Sequence, residues 1–238
     1  MIKSINLSTR LLTVAKYIQK GAKFADIGSD HAYLPCYICL KDYTAKAIAG
    51  EVNEGPYNSA KENVIHYNLS DVIDVRLGDG LEVIKAEDEI DHVIIAGMGG
   101  SLIKSILDNG KKMLENVHRI IAQPNVDARN VRQWLTTHHF IINHEAVIEE
   151  SGHIYEVIVA DKEPSKISNP KELDDKELLF GPILLKNKTK SFYAKWTHEQ
   201  EKLQRIIEQM KQAKEVDVEK IVQFEKELKW IEEVLKDD

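Results

Sequence analysis

The sequence predicts an α/β fold: a parallel, doubly wound sheet closed by an antiparallel hairpin, followed by a separate pair of helices. Three observations predict it. Five apolar runs, at 24–28, 45–50, 72–77, 90–96 and 117–122, each precede a polar or glycine-bearing turn and a helical stretch, the alternation that builds parallel sheets. Two more strand-like segments, 140–149 and 153–160, meet across Glu150-Ser151-Gly152, too short a connection for anything but a hairpin. After Ala160 the composition breaks into Asp-Lys-Glu-Pro-Ser-Lys-Ile-Ser-Asn-Pro, a polar, proline-marked linker, and the apolar residues beyond it recur at helical spacing.

In chain order, Leu11, Leu12, Val14, Ala15 and Ile18 follow Ser8, a suitable N-cap, and predict a basic amphipathic helix ended by Gly21. The five strands and the hairpin then make the seven-strand pattern of the class I (Rossmann-like) methyltransferases, a hairpin that dinucleotide-binding folds normally lack. At the far end Leu203, Ile206, Ile207 and Met210, then Ile221, Phe224, Leu228, Ile231 and Leu235, form two stripes broken near Glu215-Val216-Asp217. They predict a coiled-coil-like helical hairpin whose stripes are its internal seam. The expected domains are 1–162, catalytic, and 163–238, helical.

With 43% apolar and 30% charged residues the chain reads as globular, and no apolar run approaches the roughly 20 residues that span a bilayer. The N-terminus lacks the order of a secretory signal, so a cytoplasmic, membrane-free monomer is expected. Cys36 and Cys39 have C-x-x-C spacing, but no second Cys or His pair completes a zinc site; core packing and no metal are expected. Net charge is −7, yet residues 1–25 carry Lys3, Arg10, Lys16, Lys20 and Lys23 without an acid, and 178–198 carry Lys186, Lys188, Lys190 and Lys195 without one. Two such blocks predict a localised polyanion-binding track, formed chiefly by Arg10, Lys16, Lys188 and Lys190.

The chemistry sits at the strand ends, where open α/β sheets bind ligands. The first run ends in Asp26-Ile-Gly28-Ser-Asp30-His31-Ala-Tyr33. A pyrophosphate site wants glycine at 28, 30 and 33; here Asp30 would repel it and Tyr33 would block it. A cationic ligand without phosphate, such as S-adenosylmethionine, suits Asp26, Gly28 and Asp30. Glu51, followed by Val52, is placed to accept both hydroxyls of a ribose, which says nucleoside without saying which. Asp79 and Gly80 suit an adenine amino group and ring. Gly97, Met98 and Gly99 would let backbone pass close to the methionyl part. Gln123, Pro124 and Asn125 end the fifth strand with amides and a flat ring for a base.

Four motifs, Asp26-Ile-Gly-Ser-Asp-His-Ala-Tyr-Leu-Pro35, Ile95-Ala-Gly-Met-Gly-Gly100, Gln123-Pro-Asn125 and Ile154-Tyr-Glu-Val-Ile-Val159, occur in order and together resemble the bacterial tRNA (adenine-N1)-methyltransferase family that modifies adenosine 22. The resemblance covers essentially the whole chain. It implies S-adenosylmethionine as donor and tRNA as acceptor, with no catalytic assignment to carry over. From chemistry alone Asn125, His31 and Tyr33 are the candidate base-pocket residues, with Tyr155 further off. A small-molecule methyltransferase and a non-catalytic scaffold are the competing classes.

Overall fold

In the computed structural model, which describes residues 5–164 and 172–236, seven strands form one sheet. They are β1 (Lys23–Ile27), β2 (Lys46–Glu51), β3 (Ile73–Leu77), β4 (His92–Gly99), β5 (Arg119–Val126), β6 (Phe140–Glu150) and β7 (His153–Lys162). Their order is β3-β2-β1-β4-β5-β7-β6. The first five are parallel, and β7 is antiparallel to both β5 and β6. The direction of winding reverses between β1 and β4, which opens a crevice beyond their carboxyl ends.

Both faces of the central strands are covered, so those strands are apolar throughout rather than alternating. Val93, Ile95, Ile120 and Ala122 point to one layer, where α4 (Gly100–Asn109) and α5 (Ala128–Thr137) bring Ile103, Leu107, Val131 and Leu135. Phe24, Ile94, Ile121 and Val159 point to the other, against α1 (Thr9–Ala15), α2 (Tyr33–Lys41) and α3 (Glu54–His66). Cys36 and Cys39 are buried on α2 in this layer of the core, and burial pushes both thiols up to about 12.

Three boundaries differ from the sequence reading. The first helix does begin at Ser8, whose hydroxyl accepts from Leu11 N–H, but it ends at Ala15; tight turns at Tyr17 and Ile18 follow, and Gly21, at φ +75°, closes the segment rather than the helix. Strands β4 and β5 run on through Gly99 and Val126, because the Gly-Met-Gly and Gln-Pro-Asn motifs stay in the ladder. The first compact unit runs to Ile183, not to 162, and the second begins at Leu184. Of the linker expected after Ala160, the first two residues belong to β7, whereas 165–170 lie outside the described residues, as does Lys3.

What carries the first unit past 162 is a buried ion cluster. Arg132 on α5 is wholly buried; its Nε donates to Glu145 Oε1 at 2.7 Å, its Nη2 to Glu156, and its Nη1 to the carbonyls of Leu178 and Leu179 at 3.2 Å. Glu145 in turn accepts from Ile183 N–H at 2.8 Å. The carbonyls end α6 (Asp175–Phe180), a helix opened by the reciprocal Asp174–Glu177 capping box, and Phe180 is buried. The guanidinium thus ties α5, β6, β7 and α6 together.

The second unit is the expected helix pair, α7 (Lys190–Lys211) and α8 (Val218–Lys236). Ile207, Ile221 and Ile231 are buried in it, with Leu203, Phe224 and Leu228 half-buried. Upstream of the predicted stripe Phe192 and Trp196 are buried as well, after the Thr189 cap. No helix among the described residues is long and apolar enough to cross a membrane.

Removing one partner of a buried charge cluster leaves the others unpaired, at about 3–5 kcal/mol. Arg132→Ala, which removes the cation facing two buried carboxylates, is expected to lose that much stability in urea denaturation. A loss under about 1 kcal/mol would mean the cluster does not hold α6 in place.

Candidate functional site

The turn after β1 holds three consecutive non-glycine residues in left-handed backbone, the longest such run among the described residues. Gly28 sits at φ +68°, its N–H and that of Ser29 both bonded to Gly50 O at 2.9 and 3.2 Å. A Cβ there would stand 2.3 Å from the terminal methyl of Met98, which a flexible side chain can move aside, so it is the left-handed backbone that calls for glycine. Asp30, His31 and Ala32 then follow at φ +44°, +66° and +57°, a left-handed run that costs non-glycine residues about 1–2 kcal/mol each. The run is held from outside: Asn63 Nδ2 donates to His31 O at 2.9 Å, and Ala32 O accepts the first helical bond of α2 from Cys36. Strain held this firmly clusters at functional sites.

Two buried carboxylates face this turn. Glu51, at the end of β2, accepts from Ser29 Oγ at 3.1 Å and from the Asp30 N–H; burial raises its pKa, and those two donors oppose the rise. Asp26, at the end of β1, is only 4% exposed and receives no hydrogen bond among the described residues. Burial, reinforced by the charges of Glu51 and Asp30, pushes it up to about 7. Across the next strand Gly78 N–H bonds Glu51 O at 2.8 Å, which brings Asp79, exposed, and Gly80, at φ +54°, alongside. Val52 is exposed beside them.

The other half of the crevice is built where the β4–β5 ladder loses register twice. Ala96 pairs with Gln123, Met98 with Pro124 and Gly99 with Val126, so Gly97 is extra in one strand and Asn125 in the other. A residue bulged from a ladder leaves its backbone groups without ladder partners. Side chains supply them: Gln123 Oε1 accepts from Gly97 N–H at 3.0 Å, and Asn125 Nδ2 donates to Gly97 O at 2.7 Å. Gln123 Nε2 donates to Asn125 Oδ1 at 3.2 Å. Gln123 is fully buried and Asn125 exposed. From α1, Arg10 donates to the same Gln123 Oε1 while its guanidinium lies 5.5 Å from the Tyr155 ring centre. Glu150 accepts from the N–H groups of Thr9 and Arg10, anchoring the helix on β6.

The structure therefore brings Asp26, Gly28, Asp30, Glu51, Val52, Asp79 and Gly80 to the ends of β1–β3, and Gly97, Met98, Gly99, Gln123 and Asn125 to those of β4 and β5. His31 and Tyr33 lie together in the first turn, their rings 5.6 Å apart, with Tyr33 exposed. Three placements differ from expectation. Pro124 is buried, so the exposed apolar surface of this turn is Val126 instead. Arg10, expected on a basic track, is bonded into the pocket wall. Lys188 lies 3.5 Å from Val234 O near the end of α8, where a cation complements the helix dipole. Lys16 and Lys190 are exposed. Sequence reasoning missed Ser29, Asn63 and Glu150, whose roles come from pairings 22, 32 and at least 140 residues away in the chain.

A seven-stranded sheet with an antiparallel β7 between β5 and β6, carboxylates at three successive strand ends and no phosphate cradle defines a class I methyltransferase. Residues 24–233 match the tRNA (adenine(22)-N(1))-methyltransferase family, and the chain belongs to it. The Bacillus subtilis (strain 168) tRNA (adenine(22)-N(1))-methyltransferase is 45% identical over 236 residues, 99% of this chain and 98% of that one. Streptococcus pneumoniae Sp1610, crystallised with S-adenosyl-L-methionine, has a TM-score of 0.84 at 38% identity, covering 97% of this chain and 100% of that one. M. capricolum TrmK, solved with S-adenosyl-homocysteine, has a TM-score of 0.83 at 30% identity, over 97% and 98%.

The Asp26 shift has a sign that can be measured. Between about pH 4 and 7 the folded protein holds a proton on Asp26 that the unfolded chain has released, so this carboxyl subtracts stability as pH rises through that window. Asp26→Asn is expected to gain stability relative to the wild type between pH 4.5 and 7.5, by about 2–4 kcal/mol in urea denaturation. A difference independent of pH would show that Asp26 ionises as an ordinary carboxylate.

Proposed function

We propose that this protein transfers the methyl group of S-adenosylmethionine to N1 of adenosine 22 in tRNA, with the cofactor held at the ends of β1–β3 and the adenine at the β4–β5 turn. The observation that carries this division is the contrast between the halves: buried acids and positive-φ glycines on one side, an exposed carboxamide on a bulged ladder on the other.

The residues fit the cofactor. Glu51 is a buried acceptor suited to two ribose hydroxyls, Asp79 and Gly80 suit the adenine, and Val52 offers an exposed apolar contact. Asp26, without a hydrogen-bond donor of its own, and Asp30 complement a ligand carrying ammonium and sulfonium charge. Gly28, Gly97 and Gly99 keep the walls bare, with Met98 between them. When bound, S-adenosylmethionine supplies an electrophilic methyl group.

Adenine N1 has an in-plane lone pair that is free at neutral pH, so the chain need not supply a general base. Its task is alignment and exclusion of water. N1 lies on the pairing edge, so the base must leave any stack or pair to reach the pocket. Asn125 accepts from the exocyclic amine, Tyr33 and His31 stack against or orient the base, and Gln123 holds Asn125. Tyr155 supports Arg10 instead of meeting the base. Lys16 and Lys190 contact the tRNA backbone, and the helical unit extends that contact; shape and backbone recognition over a wide surface is how one adenosine in a folded RNA is chosen. A cytoplasmic monomer belongs to the same reading.

Incubation with labelled S-adenosylmethionine and unmodified tRNA is expected to give 1-methyladenosine at position 22. N6-methyladenosine or a methylated guanosine there would contradict the proposal. In calorimetric titration Glu51→Ala should weaken S-adenosylmethionine binding about 10- to 100-fold, as one or two charge-assisted bonds are lost.

A further inference from the structure

The hydrogen bonds around Gly97 determine more than the shape of the turn, because they leave the two amide side chains only one orientation each. Gln123 meets two donors on one side, the Gly97 N–H and the Arg10 guanidinium. Only its oxygen can face both, so its Nε2 must point the other way, at Asn125. Facing a donor, Asn125 must present Oδ1 to Gln123, and its Nδ2 then meets the Gly97 carbonyl. A flipped Asn125 would set N–H against N–H and oxygen against oxygen. After these bonds Asn125 retains one lone pair on Oδ1 and one N–H on Nδ2, on a side chain that is exposed.

A carboxamide that keeps an acceptor and a donor has the two groups that the adenine edge carrying N6–H and N7 calls for, the pairing that asparagine makes with adenine elsewhere. We infer that Asn125 reads the N6/N7 edge of the target base, with Arg10 acting through Gln123 as the positioning residue that fixes the carboxamide in its adenine-selective orientation. The inference rests on the proposed placement of the base at the β4–β5 turn and deepens it. Holding adenine by N6 and N7 leaves N1 unobstructed for methyl transfer, whereas contact through the pairing edge would cover the nucleophile. Guanine presents acceptors at both O6 and N7, so Asn125 Oδ1 meets O6 oxygen to oxygen and the base is rejected. Arg10 does this work from the N-terminal helix, clamped by Glu150 and lying over Tyr155.

The test compares kcat/KM for tRNA carrying adenosine or 7-deazaadenosine at position 22, the latter lacking the N7 acceptor. Differences in intrinsic N1 reactivity cancel when the ratio of the two is compared between variants. The preference for adenosine is expected to be about 10-fold lower in Asn125→Ala than in the wild type. Arg10→Ala should lower the ratio about threefold or more, and Arg10→Lys, which keeps a donor for Gln123, should restore part of it. S-adenosylmethionine affinity, measured in each variant, reports an intact fold. A ratio in Asn125→Ala equal to that of the wild type overturns the edge reading. Loss of the ratio in Asn125→Ala with full retention in Arg10→Ala overturns the role of Arg10 alone. Absence of 1-methyladenosine from the wild type with ordinary tRNA would instead strike the proposed function.

Discussion

The double break of register in the β4–β5 ladder is the constraint on which the site depends. Gly97 and Asn125 each stand out of step, and the backbone groups of Gly97 are completed by Gln123 and Asn125 rather than by the ladder. Gly97 is exposed, its N–H bond to Gln123 part-buried and its C=O bond to Asn125 at the surface, so the two amides complete backbone groups that the ladder leaves open and thereby set the shape of the turn before any substrate arrives. The same bonds aim Asn125 outward and draw Arg10 in from α1. A feature that would be a defect in a regular sheet thus gives the protein a rigid carboxamide at the mouth of the crevice, on strands rather than on a loop.

The opposite half of the crevice is organised by cost. Asp26 and Glu51 are buried near one another, and three residues after Gly28–Ser29 hold left-handed backbone. Neither feature helps the ligand-free fold; the left-handed run is held by Asn63 on α3 and by the first helical bond of α2. In the proposed function, positive charge on the cofactor would offset the acid pair.

The fold was legible because its signals are local and repeated: period, run length and the Glu150-Ser151-Gly152 turn placed all seven strands within a few residues, except for the carboxyl ends of β4 and β5. Those ends were hidden because a Gly-Met-Gly or Gln-Pro-Asn segment reads as a turn; only a partner strand reveals that it remains paired. The acids Asp26, Glu51 and Asp79 were legible from their places at strand ends. Arg10 was not, since a cation in an acid-free block reads as surface charge until Gln123, more than a hundred residues on, is seen to meet it. The boundary at Ile183 was masked likewise: Arg132 is an ordinary helical arginine in sequence, and only its bonds to the Leu178 and Leu179 carbonyls, beside those to Glu145 and Glu156, tie α6 to the first unit. Long-range side-chain pairing to backbone is what one-dimensional patterns do not carry.

The central claim is that the β4–β5 turn serves the base and the β1–β3 ends serve the cofactor, as separable halves. Asn125→Ala tests it most directly, because that side chain is exposed at the turn and touches none of the cofactor acids. Single-turnover methyl transfer to tRNA, measured beside S-adenosylmethionine affinity, should fall about 10- to 100-fold, as the hydrogen bonds proposed between Asn125 and the base disappear, while cofactor affinity stays within about twofold of the wild type. Parallel loss of cofactor binding, or an unchanged transfer rate, would contradict it.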